Sequence, residues 1–183
     1  MRTPEPECWL HPDVEVRPSD IAGRGLFATG PIPAGTVVSR LGGRLVTATE
    51  LAALTGGDES VDSLVVDEGV HLVLAPGSDN RFGNHACDPN LGWVDEYSLA
   101  TLRDLAAGEE LFNDYATSTV DPEYYLRCHC ASYRCRQMVE GTDWQIPQLQ
   151  QRYAGHWVPH IQRLIEARAA GSPVSPPAVP DST

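Results

Sequence analysis

From Asp13 to Val46 the apolar residues come in short runs broken by glycine and proline: Val14–Val16, Gly25–Ala28, Thr36–Leu41, then Leu45 and Val46. Runs this short, bounded by turn formers, predict twisted strands, with Ile32-Pro33-Ala34-Gly35 as a tight turn between two of them. Thr47-Ala48-Thr49-Glu50 has the spacing of a capping box, in which Thr47 covers an exposed amide and Glu50 reaches back. That predicts a short helix over Thr49–Leu54, ended by Gly56 and Gly57. β-Branched residues dominate Ser63–Val66 and Val70–Ala75, which predicts two further strands, followed by a turn over Pro76–Asn80. Three more strands are expected at Gly92–Asp95, Ser98–Leu102 and Glu110–Asp114, the last two joined through Ala106-Ala107-Gly108.

Near the C-terminus the period changes. Pro147–Tyr153 and Pro159–Arg168 each open with a proline suited to a first helical turn, and Ile161, Leu164, Ile165 and Arg168 share one helical face. Trp144, Leu149, Tyr153 and Trp157 give this extension an apolar side of its own. The tail Gly171–Thr183, rich in proline and serine, has too little to bury and is expected to be disordered. The fold class is therefore mainly β with a C-terminal α-helical extension, and no internal repeat is visible.

Composition narrows the function. The chain has 183 residues with a net charge of −12, from 25 acidic and 13 basic side chains. A field of that sign repels phosphate backbones and anionic lipid and attracts basic partners, so no direct nucleic-acid or membrane partner is expected. No apolar run approaches the ~20 residues needed to span a bilayer, and Met1–Pro12 lacks the apolar stretch of a signal peptide, so a cytoplasmic location is expected. All basic residues are arginine, a composition that suggests a bacterial protein of GC-rich coding and leaves no lysine on the chain itself.

In a reducing compartment the five cysteines point to metal before disulfides. Cys128, Cys130 and Cys135 form a C-x-C-x4-C array whose thiolates can share one Zn2+ at about 2.3 Å each. A closed structural site needs a fourth ligand. His129 serves only if it turns inward, and Cys87, in the polar segment Asn84–Asn90, is the better candidate. Cys8 is isolated and reads as a bystander. Zinc bound in this way would clamp residue 87 to a segment more than forty residues later.

Gly23-Arg24-Gly25-Leu26-Phe27-Ala28 holds a glycine pair ahead of a strand, without the third glycine of a dinucleotide site. Alone it is weak. Followed by Arg81-Phe82-Gly83-Asn84-His85-Ala86-Cys87-Asp88-Pro89-Asn90, then Gly108–Tyr115, then the cysteine array, it resembles the SET-domain protein lysine methyltransferases over roughly residues 13–140. The N-H-x-C-x-P-N element is the most specific part of the match.

The resemblance implies small curved β-sheets with a pseudoknot-like crossing, in which the segment Arg81–Asn90 meets the segment Gly108–Tyr115. It divides the matched part of the chain into a SET domain (13–120) and a post-SET zinc element (121–140), between an N-terminal segment (1–12) and, outside the family's motifs, the helical extension (141–170) and tail (171–183). It implies S-adenosylmethionine as cofactor and a lysine ε-amine of a basic protein as substrate. Gly23, Arg24, Gly25 and Leu26 would line the methionine moiety, with Asn84 and His85 on the adenine and amino-acid parts and Arg81 in support. Tyr115 would face the transferring methyl as the catalytic residue, and Cys87, Cys128, Cys130 and Cys135 would hold a structural zinc.

The chain departs from the pattern in three ways. No tyrosine lies between Leu64 and Asn80, Asn113 replaces an aromatic residue two before Tyr115, and Ala131 and Gln137 stand where glycines are common. These departures carry the alternative reading, a catalytically weak or inactive zinc-stabilised binding module. Asp58, Glu59, Asp62, Asp67 and Glu68 offer an acidic surface for a basic substrate segment.

Overall fold

A computed structural model describes residues 2–55 and 61–171. Gly56, Gly57, Asp58, Glu59 and the tail beyond Gly171 lie outside the described residues. Among those described, no helix is long and apolar enough to cross a membrane.

The strands form three small sheets and one hairpin. The first sheet holds β1 (Trp9–Leu10), β4 (Val37–Arg40), β10 (Ser98–Thr101) and β9 (Leu91–Trp93), in that order and antiparallel throughout. The second holds β2 (Val14–Pro18), β3 (Arg24–Ala28), β11 (Glu110–Asn113) and β8 (Asn84–His85). The third, β5 (Gly43–Thr47), β7 (Val70–Leu74) and β6 (Ser63–Asp67), is an antiparallel insert. It carries the helix α1 (Ala48–Thr55), which starts from the expected capping box. Glu50 accepts from Thr47 N–H at 2.7 Å, and Glu50 N–H donates to Thr47 Oγ1 at 3.2 Å.

Every strand expected from the apolar runs is present, with ends moved by a residue or two. Four short strands were not expected: β1, β8, and the hairpin of β12 (Tyr125–Arg127) with β13 (Met138–Glu140). They have only two or three residues each, so no period can show in them. Trp9–Leu10, within the N-terminal segment, completes the first sheet. The turn expected over Pro76–Asn80 runs on into a single 3-10 turn at Asp79–Phe82.

The pairing of β8 with β11 is parallel, Phe112 opposite Asn84 and Asn113 opposite His85, and every other pair of strands among the described residues is antiparallel. Asn90 extends the contact: its Nδ2 donates to Glu110 O and its Oδ1 accepts from Phe112 N–H, both at 2.8 Å. Segment 84–90 is thus held along β11 from end to end, which is the meeting of segments that the resemblance implied.

One apolar core, including Leu26, Val38, Leu72, Trp93 and Leu111, joins the three sheets. A second joins Val120, Trp144, Leu149, Tyr153, Trp157 and Ile161, and packs the helices α2 (Pro147–Arg152) and α3 (Pro159–Ala169) against Val65 of β6. The extension therefore spans from the cysteine region to the insert sheet. Asp67 fixes its far end, accepting from Arg163 at 2.8 Å, with His160 Nδ1 at 3.2 Å.

Candidate active site

The crossing brings four separated stretches into one neighbourhood. Asn84 Nδ2 donates to Arg24 O at 3.0 Å and to Glu110 Oε1 at 2.8 Å, which ties the glycine loop to β11. Gly23 has φ +50°, a left-handed conformation that favours glycine. A Cβ at Gly25 would lie 2.0 Å from Glu110 Oε1 and 3.1 Å from Asn84 Nδ2, so any larger residue there displaces the Glu110 carboxylate. Arg24 turns outward and lies 3.7 Å from the centre of the Phe82 ring, while Leu26 is buried in the main core and also lines the cleft described below.

Tyr115 follows directly. Its hydroxyl donates to Gly83 O at 2.7 Å, its ring packs edge-on against His85, and burial pushes the phenol up to about 12, with smaller contributions from Tyr124 and Asp62. At neutral pH it stays protonated and is no general base. His85 is buried and its ring is fully engaged. Nδ1 accepts from Tyr115 N–H at 3.2 Å, so the proton of the neutral ring sits on Nε2, 3.3 Å from Cys87 Sγ. Burial pushes this ring down to about 4, with Asp114 opposing and Arg136 adding to the shift. His85 therefore links the tyrosine to the cysteine cluster through its side chain.

Cys87, Cys128, Cys130 and Cys135 come together, their sulphurs all within 4.8 Å of one another. His129 is not among them, and Cys8 lies apart, bonded through its sulphur to Gly42. The Cys87–Cys128 separation of 3.8 Å is the edge of a tetrahedron with bonds of about 2.3 Å, the Zn–S length. Backbone N–H groups of Arg136, Cys130 and Gln137 point at Cys87, Cys128 and Cys135 sulphurs at 3.3, 3.4 and 3.4 Å. Amide donors of this kind suit thiolates held by a metal. Burial raises the Cys87 thiol to about 11 and Cys128 further, so the uncharged thiol form is favoured unless a cation is bound. The residues fit zinc. Ala131 (φ +54°) and Gln137 (φ +62°), the two positions where glycine was expected, both have left-handed backbone.

Next to the cluster lies a charge network that sequence reasoning missed. Asp114, 1 % exposed, receives both Arg136 terminal nitrogens at 2.7 and 2.8 Å and the Tyr153 hydroxyl at 2.9 Å. Arg136 Nε also donates to Asp143 at 2.9 Å. Tyr115 is thereby flanked by a residue anchored to the cysteine element and to the helical extension at once. The sequence signal was an arginine directly after Cys135 and an aspartate directly before Tyr115.

Tyr115 opens on a cleft of about 1200 Å³ between the insert sheet with α1, the segment 118–124, and α3. Among the described residues, Asp62, Asp67, Glu68, Asp121 and Glu123 line it, against Arg81 as the sole arginine. Arg81 pairs with Asp62 at 3.2 Å. His160, Leu164 and Ala167 of α3 form one wall, so the extension bounds the cleft as well as packing on the core. Tyr124 also lines it, its hydroxyl raised chiefly by burial, so the cleft has a second tyrosine although none precedes Asn80. Asn113 lines the same space.

Comparison with known proteins agrees with this geometry. Residues 23–116 match the model of the SET domain. The chain is 30% identical over 141 residues to histone-lysine N-methyltransferase ash1 of Drosophila melanogaster, covering 69% of this chain and 6% of that protein. It is 31% identical over 147 residues to human histone-lysine N-methyltransferase 2B, covering 69% of this chain and 5% of that one. The chain thus spans a small fraction of the length of these relatives. The crystal structure of the methyltransferase domain of human histone-lysine N-methyltransferase SETMAR superposes with a TM-score of 0.56 at 21% identity, over 70% of this chain and 57% of that one. With the glycine loop, Asn84, His85 and Tyr115 assembled around a parallel crossing, and residues 23–116 matched as a unit, the chain belongs to the SET-domain family.

Proposed function

We propose that the protein is an S-adenosylmethionine-dependent methyltransferase acting on a lysine ε-amine of a basic protein. The observation that carries this reading is the protonated Tyr115 hydroxyl, held by Gly83 O at the wall of an acid-lined cleft and joined through β8 and β11 to the glycine loop. When bound, S-adenosylmethionine supplies an activated methyl carbon on a sulfonium. The residues fit that group: the Gly23–Gly25 loop is pinned open by Asn84, whose Oδ1 has no partner among the described residues.

The protein's own task is to deliver a neutral amine in line. A free lysine costs about 4.6 kcal/mol to deprotonate at pH 7. The acidic lining draws the ammonium to the cleft, and the buried ground beside Tyr115 disfavours its charge through desolvation. With its proton committed to Gly83 O, the Tyr115 hydroxyl meets the incoming N–H groups as an acceptor and aligns the nitrogen lone pair. The zinc suggested by the cysteine cluster has no part in the transfer. It would hold Cys87, and through His85 the backbone of Tyr115.

Transfer of labelled methyl from S-adenosylmethionine to a pool of basic proteins tests this. Wild type is expected to label lysine, and Tyr115→Phe to keep cofactor binding while losing most of the transfer. Cofactor binding by wild type with no label incorporated would favour the binding module.

A further inference from the structure

Glu110 opens β11 beside the Ser19–Gly25 loop, and its two oxygens are engaged differently. Oε1 accepts from Asn84 Nδ2 at 2.8 Å and Oε2 from Ser19 Oγ at 3.0 Å. Ser19 Oγ in turn accepts from Ile21 N–H at 3.1 Å, and Ser19 N–H donates to Gly23 O at 3.1 Å. The carboxylate is therefore the hub of the glycine loop. Both its donors are neutral: among the described residues no arginine or histidine nitrogen lies within 4.0 Å of it.

Asn84 takes its orientation from this hub. Its Nδ2 faces Glu110 Oε1, Arg24 O at 3.0 Å and Ala22 O at 3.4 Å. Turned over, the amide would set its own oxygen against three others, so the nitrogen is fixed inward and Oδ1 outward. Oδ1 accepts from no donor among the described residues, and it is not one of the buried unpartnered atoms. An outward amide oxygen alone accepts from any donor. An uncompensated carboxylate behind the same amide favours a cationic one.

We propose that Glu110 is a positioning residue: it locks Asn84 with Oδ1 outward, and the pair together selects the α-ammonium of the cofactor's amino-acid part. The inference rests on the reading that the chain binds S-adenosylmethionine. Glu110 acts through Asn84 and through its charge, without touching the reacting atoms.

Calorimetric titration with two neutral thioethers separates this from a merely structural role. S-Adenosylhomocysteine carries the ammonium, and 5′-methylthioadenosine lacks the amino-acid part altogether. Glu110→Ala is expected to weaken S-adenosylhomocysteine about tenfold or more, the scale of a charge-assisted hydrogen bond, and to leave 5′-methylthioadenosine unchanged. Glu110→Gln keeps an acceptor for Asn84 and is expected to recover part of the loss. Equal weakening of both ligands in Glu110→Ala, or no change in S-adenosylhomocysteine, overturns the proposal. Unchanged 5′-methylthioadenosine binding doubles as proof that the variant is folded. Wild type that binds neither ligand overturns the reading of function, and this inference falls with it.

Discussion

Strand β11 starts at one carboxylate and is followed by another. Glu110, partly exposed, accepts among the described residues only from an amide and a hydroxyl, both belonging to the loop and strand it holds in place. Asp114, fully buried, is matched by both terminal nitrogens of Arg136 and capped by Tyr153. Leaving a buried carboxylate without its cation is strongly destabilising, so Asp114 depends on Arg136. Glu110 keeps enough solvent to stand with neutral donors, and its charge remains available to a ligand. The strand is thus anchored architecturally at its far end, beside Tyr115, and tuned for binding at its near end, beside the glycine loop.

The largest test of this contrast removes the clamp behind Asp114. The purified protein is expected to carry Zn2+ on Cys87, Cys128, Cys130 and Cys135, and chelation or Cys87→Ser to remove stabilisation on the order of 10 kcal/mol from the region around them. Metal analysis with thermal denaturation checks this. A melting temperature indifferent to chelator would mean that the Arg136 network holds the far end by itself.

Next comes the same change made at both ends. Asp114→Asn leaves Arg136 buried with only Asp143 to balance it and is expected to cost about 3 kcal/mol or more in urea denaturation. Glu110→Gln, which strands no buried cation, is expected to stay within about 1 kcal/mol of wild type. Equal losses would erase the distinction between an architectural and a binding carboxylate.

A steric change at the near end sharpens it. The Cβ of Gly25→Ala meets Glu110 Oε1, the tip of a side chain that can swing away, so the stability loss is expected near the lower end of the ~1–3 kcal/mol range for overpacking. The displaced carboxylate releases Asn84, so the thermal shift produced by S-adenosylhomocysteine should shrink more than stability does.

These two ends were unequally legible in the sequence. The strands read from apolar runs, the Thr47 capping box and the Cys128-Cys130-Cys135 array carry local patterns that residue type decides, whereas Cys87 lies 41 positions from Cys128 and stands apart from any local pattern. Strand β8 is two polar residues, Asn84 and His85, with no alternation to read, so only its likeness to a known motif marked it. Asp114 and Arg136 are 22 positions apart and Asp114 and Tyr153 are 39 apart, and nothing local pairs them. Glu110 was read simply as the start of a strand, because its role depends on where Asn84 lies. Tyr124 bears no mark in the sequence, because the family pattern places a second tyrosine upstream of Asn80, whereas the cleft takes one from the segment after Tyr115.

Ala131 and Gln137 show a departure from pattern acquiring a physical meaning. Both sit in left-handed backbone within the cysteine element. For an L-residue with a side chain that conformation costs roughly 1–2 kcal/mol, while a glycine adds about 0.4–1 kcal/mol of unfolded-state entropy to be lost on folding. The difference favours glycine, so Ala131→Gly and Gln137→Gly are each expected to stabilise the protein by about 0.5 kcal/mol. Neither residue hydrogen-bonds to the glycine loop among the described residues, so the gain should appear as a higher denaturation midpoint with S-adenosylhomocysteine binding unaltered. Additivity in the double variant would place the strain in two independent turns. A gain in ligand affinity instead would mean that the far end of β11 also tunes binding, and the division drawn between its two carboxylates would have to be given up.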